Sequence, residues 1–264
     1  MREAVIGVPQ VQEEKHNHCK GCAMGKNIRK PFPQSEHKSK GTLDLVHSDV
    51  CGTMSVHSFS GYSCCVTFID DYSKKTWIYF LKAKSKVFQR FREFKTLVEN
   101  QTRRKIRVLR TNNGGEYTSN EFSKYCSLEG FKKEHTMPHT PQHNGMVERK
   151  NGTMVGAAKA MLFDQGLPLF LRAEAYRTTV YIQNKCPHTA LGRKTPEEVF
   201  TSTRLDVSHI GIFGIVYYCH IHADTRKKLD PSREKGLLVG YNETSKAYIV
   251  YIPARKRIIV SRDT

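Results

Sequence analysis

Two carboxylates that lie far apart in the chain could do chemistry together. Asp49 lies in the segment HSDVCG, and Glu148 lies in GMVERKNG. Acidic side chains that converge from separate segments can hold divalent metal ions, which activate an attacking oxygen and stabilise a leaving one during phosphoryl transfer. A third carboxylate would be expected between them, but the chain presents Asn112 there. The chemistry therefore depends on what an amide does at this position.

A pair of acids alone is weak evidence, because most aspartates and glutamates are surface groups. The elements that carry these residues strengthen the case. Asp49 comes at the end of one strand-like run, Asn112 directly follows another, and 35 residues separate Asn112 from Glu148. Adjacent strands end side by side, and a helix can present Glu148 opposite them. We therefore expect the three side chains to meet at one point.

The flanking segments predict an α/β domain over residues 43–205. Three short runs rich in β-branched and aromatic residues predict consecutive strands joined by turns. The segment SKVFQRFREFKTLVENQ predicts an amphipathic helix with Arg90, Arg92 and Lys95 facing solvent. Two further strands and further helices follow, one of them from about residue 145 to 165. The result is a mixed five-stranded sheet with flanking helices.

The two ends of the chain predict smaller parts. Residues 206–264 contain short strand-like runs separated by turns, which predict a small basic C-terminal β-barrel or sheet. Residues 1–42 are polar and basic and are interrupted by proline and glycine, which predicts a short arm and a linker.

The chain carries a large positive charge. Its 43 Lys and Arg residues outnumber 25 Asp and Glu residues, so the formal net charge is +18 and the pI is about 9.6. Residues 84–110 alone contain ten basic residues and two glutamates. This excess favours a polyanionic partner, with DNA first among the candidates. A solvated basic helix face would explain the local run equally well.

The cysteines and the apolar runs indicate the compartment. Eight cysteines are scattered along the chain without a signal-peptide pattern, which predicts reduced thiols in the nucleus or cytoplasm. Cys64 and Cys65 lie in an apolar run and are expected to be buried like small hydrophobic residues. No apolar run reaches the roughly 18 to 20 residues of a membrane span, so no membrane partner is expected.

Several motifs occur in an order that resembles the integrase region of copia-type LTR retrotransposon Pol polyproteins, particularly those of plants. The motifs are CKGCAMGK, LDLVHSDVCG, VTFIDDYSKKTWIYFLK, LRTNNGGEY, PQHNGMVERKNG, KTPEEVF and KLDPSREKGLLVGYNETSKAYIVY. The resemblance extends over nearly the whole chain. It implies an RNase H-like core that belongs to the retroviral-integrase superfamily and uses two Mg²⁺ or Mn²⁺ ions. It also implies processing of DNA 3′ ends and strand transfer into target DNA by a homo-oligomer.

In the resembling family a catalytic triad of two aspartates and a glutamate holds the metal ions. Asp49 matches the first acid and Glu148 the third, whereas Asn112 stands where the second aspartate is expected. An amide can offer one carbonyl oxygen to a cation, but it lacks the negative charge. We therefore expect metal occupancy and catalysis to be impaired, and Glu116, which occupies its own family position, is not an obvious substitute. Arg172 replaces a tryptophan, and a charge on a partly buried helix face is costly unless it is paired.

The resemblance also implies a zinc site in the N-terminal arm. Cys19 and Cys22 form a CxxC motif, which would supply half of a site made of two histidines and two cysteines. The family pattern places the two histidines upstream of residue 1, and His16 and His18 lie too close to the cysteines for a relaxed tetrahedral cage. We expect an incomplete Zn²⁺ site.

Candidate DNA-binding residues lie near Glu148 and in the C-terminal part. Asn144, Arg149 and Lys150 correspond to residues that guide DNA ends in the family, although exposed helix cations would look the same. Turn-borne cations can position DNA through its phosphates without reading its sequence. In the C-terminal part these cations are Arg226, Lys227 and Lys228.

Two functions compete. The first is a retrotransposon integrase that binds DNA and catalyses its integration. The second is a catalytically inactive nucleic-acid-binding remnant or domesticated derivative, which Asn112 favours. A nuclease or transposase of the same superfamily is a weaker third reading, because the 35-residue spacing and the KLDPSREKG motif count against it.

Overall fold

Two β-sheets organise the structure. The computed structural model describes residues 39–54, 56–135, 141–221, 226–228, 231–243, 245 and 247–262, with the backbone alone for residues 141–144. The described residues belong to one compact unit. Residues 1–38 of the predicted N-terminal arm, which include Cys19 and Cys22, lie outside them.

The larger sheet has five strands and is flanked by helices. The strands are β1 (Leu45–Cys51), β2 (Cys64–Asp70), β3 (Thr76–Leu81), β4 (Val108–Thr111) and β5 (Lys132–His135). The helices are α1 (Val87–Thr102), α2 (Asn120–Glu129), α3 (Pro141–Asp164), α4 (Arg172–Lys185) and α5 (Pro196–Thr201). The strand order is β3-β2-β1-β4-β5, with β1 antiparallel to β2 and parallel to β4. This confirms the predicted mixed five-stranded sheet.

Aromatic side chains fill the core between one face of this sheet and the helices α1 and α2. The ring of Phe68 on β2 stacks on Phe94 of α1, with the ring centroids 4.3 Å apart. Phe91 of α1 stacks on Phe122 of α2 at 5.2 Å. Trp77 of β3 packs edge-on against Phe94. These contacts fix α1 and α2 on the sheet, as the apolar face of the predicted helix requires.

The predicted solvent face of α1 is wrong at Lys95, which is only 4% exposed. Its ammonium group lies 2.8 Å from a carboxylate oxygen of Glu99 and 2.7 Å from one of Glu129 on α2. A buried charge is tolerated when it is paired and hydrogen-bonded, and here two carboxylates pair with one lysine. Periodicity within one helix cannot reveal a partner that another helix supplies.

The helix that carries Glu148 begins at Pro141, four residues earlier than predicted. Proline is favoured in the first turn of a helix, where its missing N–H is not needed. Glu148 therefore lies about two turns inside the helix. No helix in the described ranges is both long and apolar enough to cross a membrane.

The C-terminal strands form a second, antiparallel sheet in chain order. They are β6 (Val216–His220), β7 (Arg233–Asn242), β8 (Ala247–Ile252) and β9 (Arg257–Ser261). This confirms the predicted C-terminal sheet, and in the strands that the structure describes β6 and β9 do not pair to close a barrel. The sheet packs on α4, where the Thr178 hydroxyl donates to the backbone oxygen of Val239 at 3.1 Å. The domain boundary after residue 205 stays a prediction.

Candidate active site

Two parallel strands bring Asp49 and Asn112 together. Ser48 of β1 lies opposite Thr111, the last residue of β4, so Asp49, which is still part of β1, and Asn112, which follows β4, come next to each other at the same edge of the sheet. There the amide nitrogen Nδ2 of Asn112 donates a hydrogen bond to Oδ1 of Asp49 at 2.8 Å. The predicted meeting of these two residues is therefore present, as a hydrogen bond between an amide and a carboxylate.

A second amide binds the other carboxylate oxygen of Asp49. Nδ2 of Asn151 on α3 donates to Oδ2 of Asp49 at 2.8 Å. Oδ1 of Asn151 accepts a hydrogen bond from the Thr67 hydroxyl at 3.3 Å, and Thr67 lies opposite Asp49 on β2. Asn151 is only 9% exposed, so this network is shielded from solvent. Both oxygens of Asp49 are thus engaged by protein donors.

The orientation of the Asn112 amide follows from its second contact. Oδ1 of Asn112 accepts a hydrogen bond from the backbone N–H of Gly114 at 3.1 Å. If the amide were reversed, its oxygen would face the Asp49 carboxylate and its NH₂ group would face the N–H of Gly114. Both contacts would then be repulsive. The amide nitrogen, and not the oxygen, consequently faces Asp49.

Glu148, the third predicted site residue, lies on the exposed side of α3. Burial raises the pKa of Asp49 above its ordinary value, while hydrogen bonds from the Val50 backbone N–H and the Asn151 amide oppose this shift. The charges of Glu148 and Glu116 raise the same pKa further. Glu148 therefore acts on Asp49 in this arrangement through its charge.

These donors do not fit a pair of divalent ions as they stand. Mg²⁺ needs oxygen ligands in near-octahedral geometry, but both oxygens of Asp49 accept from amides and Asn112 presents nitrogen. In the part of the chain that the structure describes, no group of three or more His, Cys, Asp or Glu side chains could hold a metal ion. Cys19 and Cys22 lie outside the described residues, so the predicted zinc site stays a prediction.

The predicted DNA-binding cations differ in exposure. Arg149 is exposed on α3, whereas Lys150 is half-buried and burial lowers its pKa. Arg226 is half-buried, and Lys227 and Lys228 are exposed. The side chain of Asn144 lies outside the described residues. Of the set near Glu148, Arg149 is thus the cation that solvent reaches most freely.

Four of the ten cations of the basic segment 84–110 are neutralised by ion pairs in the fold. Carboxylates form ion pairs with Arg90, Lys95, Arg107 and Arg110. Six exposed cations have no ion pair with the described residues, and they are Lys84, Lys86, Arg92, Arg103, Arg104 and Lys105. The sequence count therefore overestimates the charge of this segment that is free to meet a polyanion.

Sequence reasoning missed Asn151 and its contact with Thr67. The buried residues of α3 include Val147, Met154, Ala158 and Leu162, at spacings that define one helix face. Asn151 lies four residues after Val147 on that same face. An asparagine within an apolar stripe, one turn after a candidate metal ligand, was the signal that could have revealed it.

Two family descriptions match the chain. Residues 41–141 match the integrase core domain, and residues 215–264 match the retroviral polymerase SH3-like domain. The retrovirus-related Pol polyprotein from transposon TNT 1-94 of Nicotiana tabacum is 43% identical over 245 residues, which are 93% of this chain and 18% of that protein. The corresponding polyprotein from transposon RE1 of Arabidopsis thaliana is 30% identical over 244 residues, 92% of this chain and 16% of that protein. The chain spans less than a fifth of these relatives.

A solved structure shows the same fold. A chain of the simian T-cell lymphotropic virus intasome, determined in complex with the PP2A regulatory subunit B56 gamma, superposes with a TM-score of 0.56. The sequences are 16% identical, and the match covers 92% of this chain and 84% of the viral chain.

Proposed function

Since the chain belongs to the integrase region of retrovirus-related Pol polyproteins of transposons, we propose that it is a DNA-binding integrase core whose metal-dependent chemistry is blocked. It would act in the nucleus or cytoplasm as a homo-oligomer. The hydrogen bond from Asn112 to Asp49 carries the proposal. It places a donor where a metal site needs a second anionic ligand.

The surface charge supports DNA binding. Arg149 is exposed beside Glu148, and six cations of the segment 84–110 are also exposed and have no ion pair with the described residues. Cations of this kind neutralise phosphates and release the counterions of DNA, which supplies affinity without reading sequence. These phosphate contacts do not involve Asn112, so DNA binding is expected even if catalysis is lost.

The site geometry argues against unaided strand transfer. A divalent ion would have to displace two amides from Asp49 and would gain from Asn112 a neutral ligand in place of an acid. Each displaced hydrogen bond to a charged group is worth about 1.5 to 3 kcal/mol. Metal binding would have to release more free energy than the loss of these two hydrogen bonds costs. It would have to do so in a site that lacks the negative charge of a second aspartate.

Strand transfer with Mn²⁺ tests the proposal. We expect the protein to bind duplex DNA but to join no more ends than Asp49→Asn, whereas Asn112→Asp joins ends measurably above both. Joining by the unchanged protein at the level of Asn112→Asp would overturn the block at Asn112. If neither the unchanged protein nor Asn112→Asp bound duplex DNA, the proposed DNA binding would be overturned.

A further inference from the structure

Two cysteines face each other across neighbouring strands. Cys51 on β1 lies opposite Cys65 on β2, and both are free thiols. Opposite residues of antiparallel strands project from the same face, with their Cα atoms about 4.5 or 5.5 Å apart. Disulfides bridge Cα separations of roughly 4.4 to 6.8 Å. The strand pairing therefore already holds these cysteines at bonding range.

The two thiols differ in access, and a third cysteine provides a built-in comparison. Cys51 is partly exposed and is the last residue of β1, whereas Cys65 is 0% exposed. Cys64 precedes Cys65 but points to the opposite face of β2, where it packs in the core that contains Phe68 and Phe94. Cys65 packs in the separate core that Cys51 borders. Only one of the two adjacent cysteines can therefore reach Cys51.

We propose that Cys51 and Cys65 form a dithiol site that a small disulfide, such as glutathione disulfide, oxidises to an intramolecular disulfide. The Cys51 thiolate attacks one sulfur of glutathione disulfide, which forms a mixed disulfide and releases one glutathione thiolate. The Cys65 thiolate then attacks the Cys51 sulfur and releases the second glutathione. The two protein thiols lose two electrons, the glutathione disulfide gains them, and the two thiol protons end on the two glutathione molecules.

The new bond would lie beside the Asp49 carboxylate. Asp49 and Cys51 are two residues apart on β1, so their side chains share one face of the sheet. Oxidation would covalently join the strand that carries Asp49 to the strand that carries Thr67. The inference rests on strand pairing alone and holds whether or not the protein joins DNA ends.

Peptide mapping of the native protein tests the inference. The folded protein is incubated with glutathione disulfide, its remaining thiols are labelled with N-ethylmaleimide under denaturing conditions, and it is digested with trypsin. Lys40 and Lys74 flank one tryptic peptide that contains Cys51, Cys64 and Cys65. We expect this peptide to carry one maleimide group, on Cys64, instead of the three found before oxidation.

Cleavage with cyanogen bromide locates the bond. Met54 is the one methionine of this peptide and separates Cys51 from the other two cysteines. We expect the two halves to stay joined until a reductant is added. Halves that separate without reductant, or a maleimide on Cys65 in place of Cys64, would overturn the proposal.

Matched variants give an independent result. Cys64→Ala should still form the cross-link at the wild-type rate, and Cys65→Ala should stop at a mixed disulfide between Cys51 and glutathione. Circular dichroism verifies that both variants fold. An equal loss of cross-linking in the two variants would contradict the assignment, and fragment sequencing of the wild-type peptide decides the matter if either variant fails to fold.

Discussion

Asn112 donates its amide hydrogen to the carboxylate of Asp49, with 2.8 Å between nitrogen and oxygen. Two carboxylates at these positions would repel each other unless a cation lay between them. The amide turns that repulsion into an attraction. The substitution therefore stabilises the metal-free fold by the same contact that removes a metal ligand.

Asn112→Asp should make the stability of the fold depend on metal. Without a divalent ion we expect a loss of about 2 kcal/mol, or roughly 4 to 8 °C in melting temperature, because two half-buried carboxylates then face each other. Mg²⁺ or Mn²⁺ should restore the lost stability by binding the folded state. Thermal melts in EDTA and in each metal measure both effects.

The matched control for this experiment is Asn113→Asp. Asn113 is the exposed neighbour of Asn112, so the variant adds the same charge without a carboxylate partner. Its melting temperature should change little and should not respond to metal. A metal response of the unchanged protein as large as that of Asn112→Asp would contradict the role assigned to the amide.

Asn151→Ala should destabilise the fold in a pH-dependent way. Asn151 lowers the pKa of Asp49, so its removal raises further a pKa that already lies above the ordinary 3.8. A folded-state pKa above the unfolded value means that the contribution of Asp49 to stability is full at low pH and is lost as the pH rises through the folded pKa. At a pH above the folded-state pKa of Asp49, where its carboxylate is charged, we expect a loss of about 1 to 3 kcal/mol. The loss should shrink as the pH falls and Asp49 takes up a proton.

Urea unfolding between neutral pH and about pH 4 follows this change. Asn184→Ala is the matched control, because Asn184 is 6% exposed and its side chain bonds the backbone of Thr76, at 2.9 and 2.7 Å, with no charged partner among the described residues. The loss in free energy of unfolding that Asn184→Ala causes should not vary with pH. Parallel pH profiles for the two variants would rule out the proposed contact between Asn151 and a charged Asp49.

The strand pattern was sufficient to predict that Asp49 and Asn112 meet. Each residue ends or directly follows a strand-like run, and the parallel pairing of β1 with β4 places their side chains next to each other. Periodicity also located the helix that carries Glu148, although its start was four residues too late. These features depend on local sequence, which one chain contains in full.

The contacts of Lys95 and Asn151 could not be predicted in the same way. Lys95 is buried because Glu129 on another helix pairs with it, and Asn151 is buried because Asp49 accepts its hydrogen bond. Each polar residue interrupts an apolar pattern for a reason that lies in a distant segment. The orientation of the Asn112 amide likewise depends on the backbone N–H of Gly114. Pairings of this kind require the tertiary structure.

Arg149→Ala should weaken DNA binding and reduce its salt dependence. If Arg149 neutralises one phosphate, the slope of log K against log salt should fall by about 0.9. Arg90→Ala is the matched control. Arg90 on α1 already forms an ion pair with Glu93 of the same helix, so its removal should change the salt dependence less. Fluorescence anisotropy across a salt series measures both variants. Equal slopes for Arg149→Ala and the unchanged protein would show that Arg149 contacts no phosphate.

Arg172→Met should stabilise the fold. Arg172 is 8% exposed, forms one hydrogen bond, to the backbone oxygen of Tyr62 at 3.2 Å, and has no ion pair with the described residues. Burial lowers its pKa, which is the sign of an uncompensated charge. It also begins α4, where a positive charge opposes the helix dipole. Replacing such a buried charge with an apolar side chain of similar length should add about 1 kcal/mol or more.

Arg177→Met on the same helix separates this effect from a general effect of removing arginine. Arg177 is exposed and lies over the ring of Phe80 at 5.5 Å, so its loss should leave stability unchanged or lower it by about 0.5 to 1 kcal/mol. Urea unfolding of both variants at neutral pH gives the two free energies. A destabilised Arg172→Met would mean that the single bond to Tyr62 outweighs the cost of burying the guanidinium. The departure from tryptophan at this position would then be compensated by the fold.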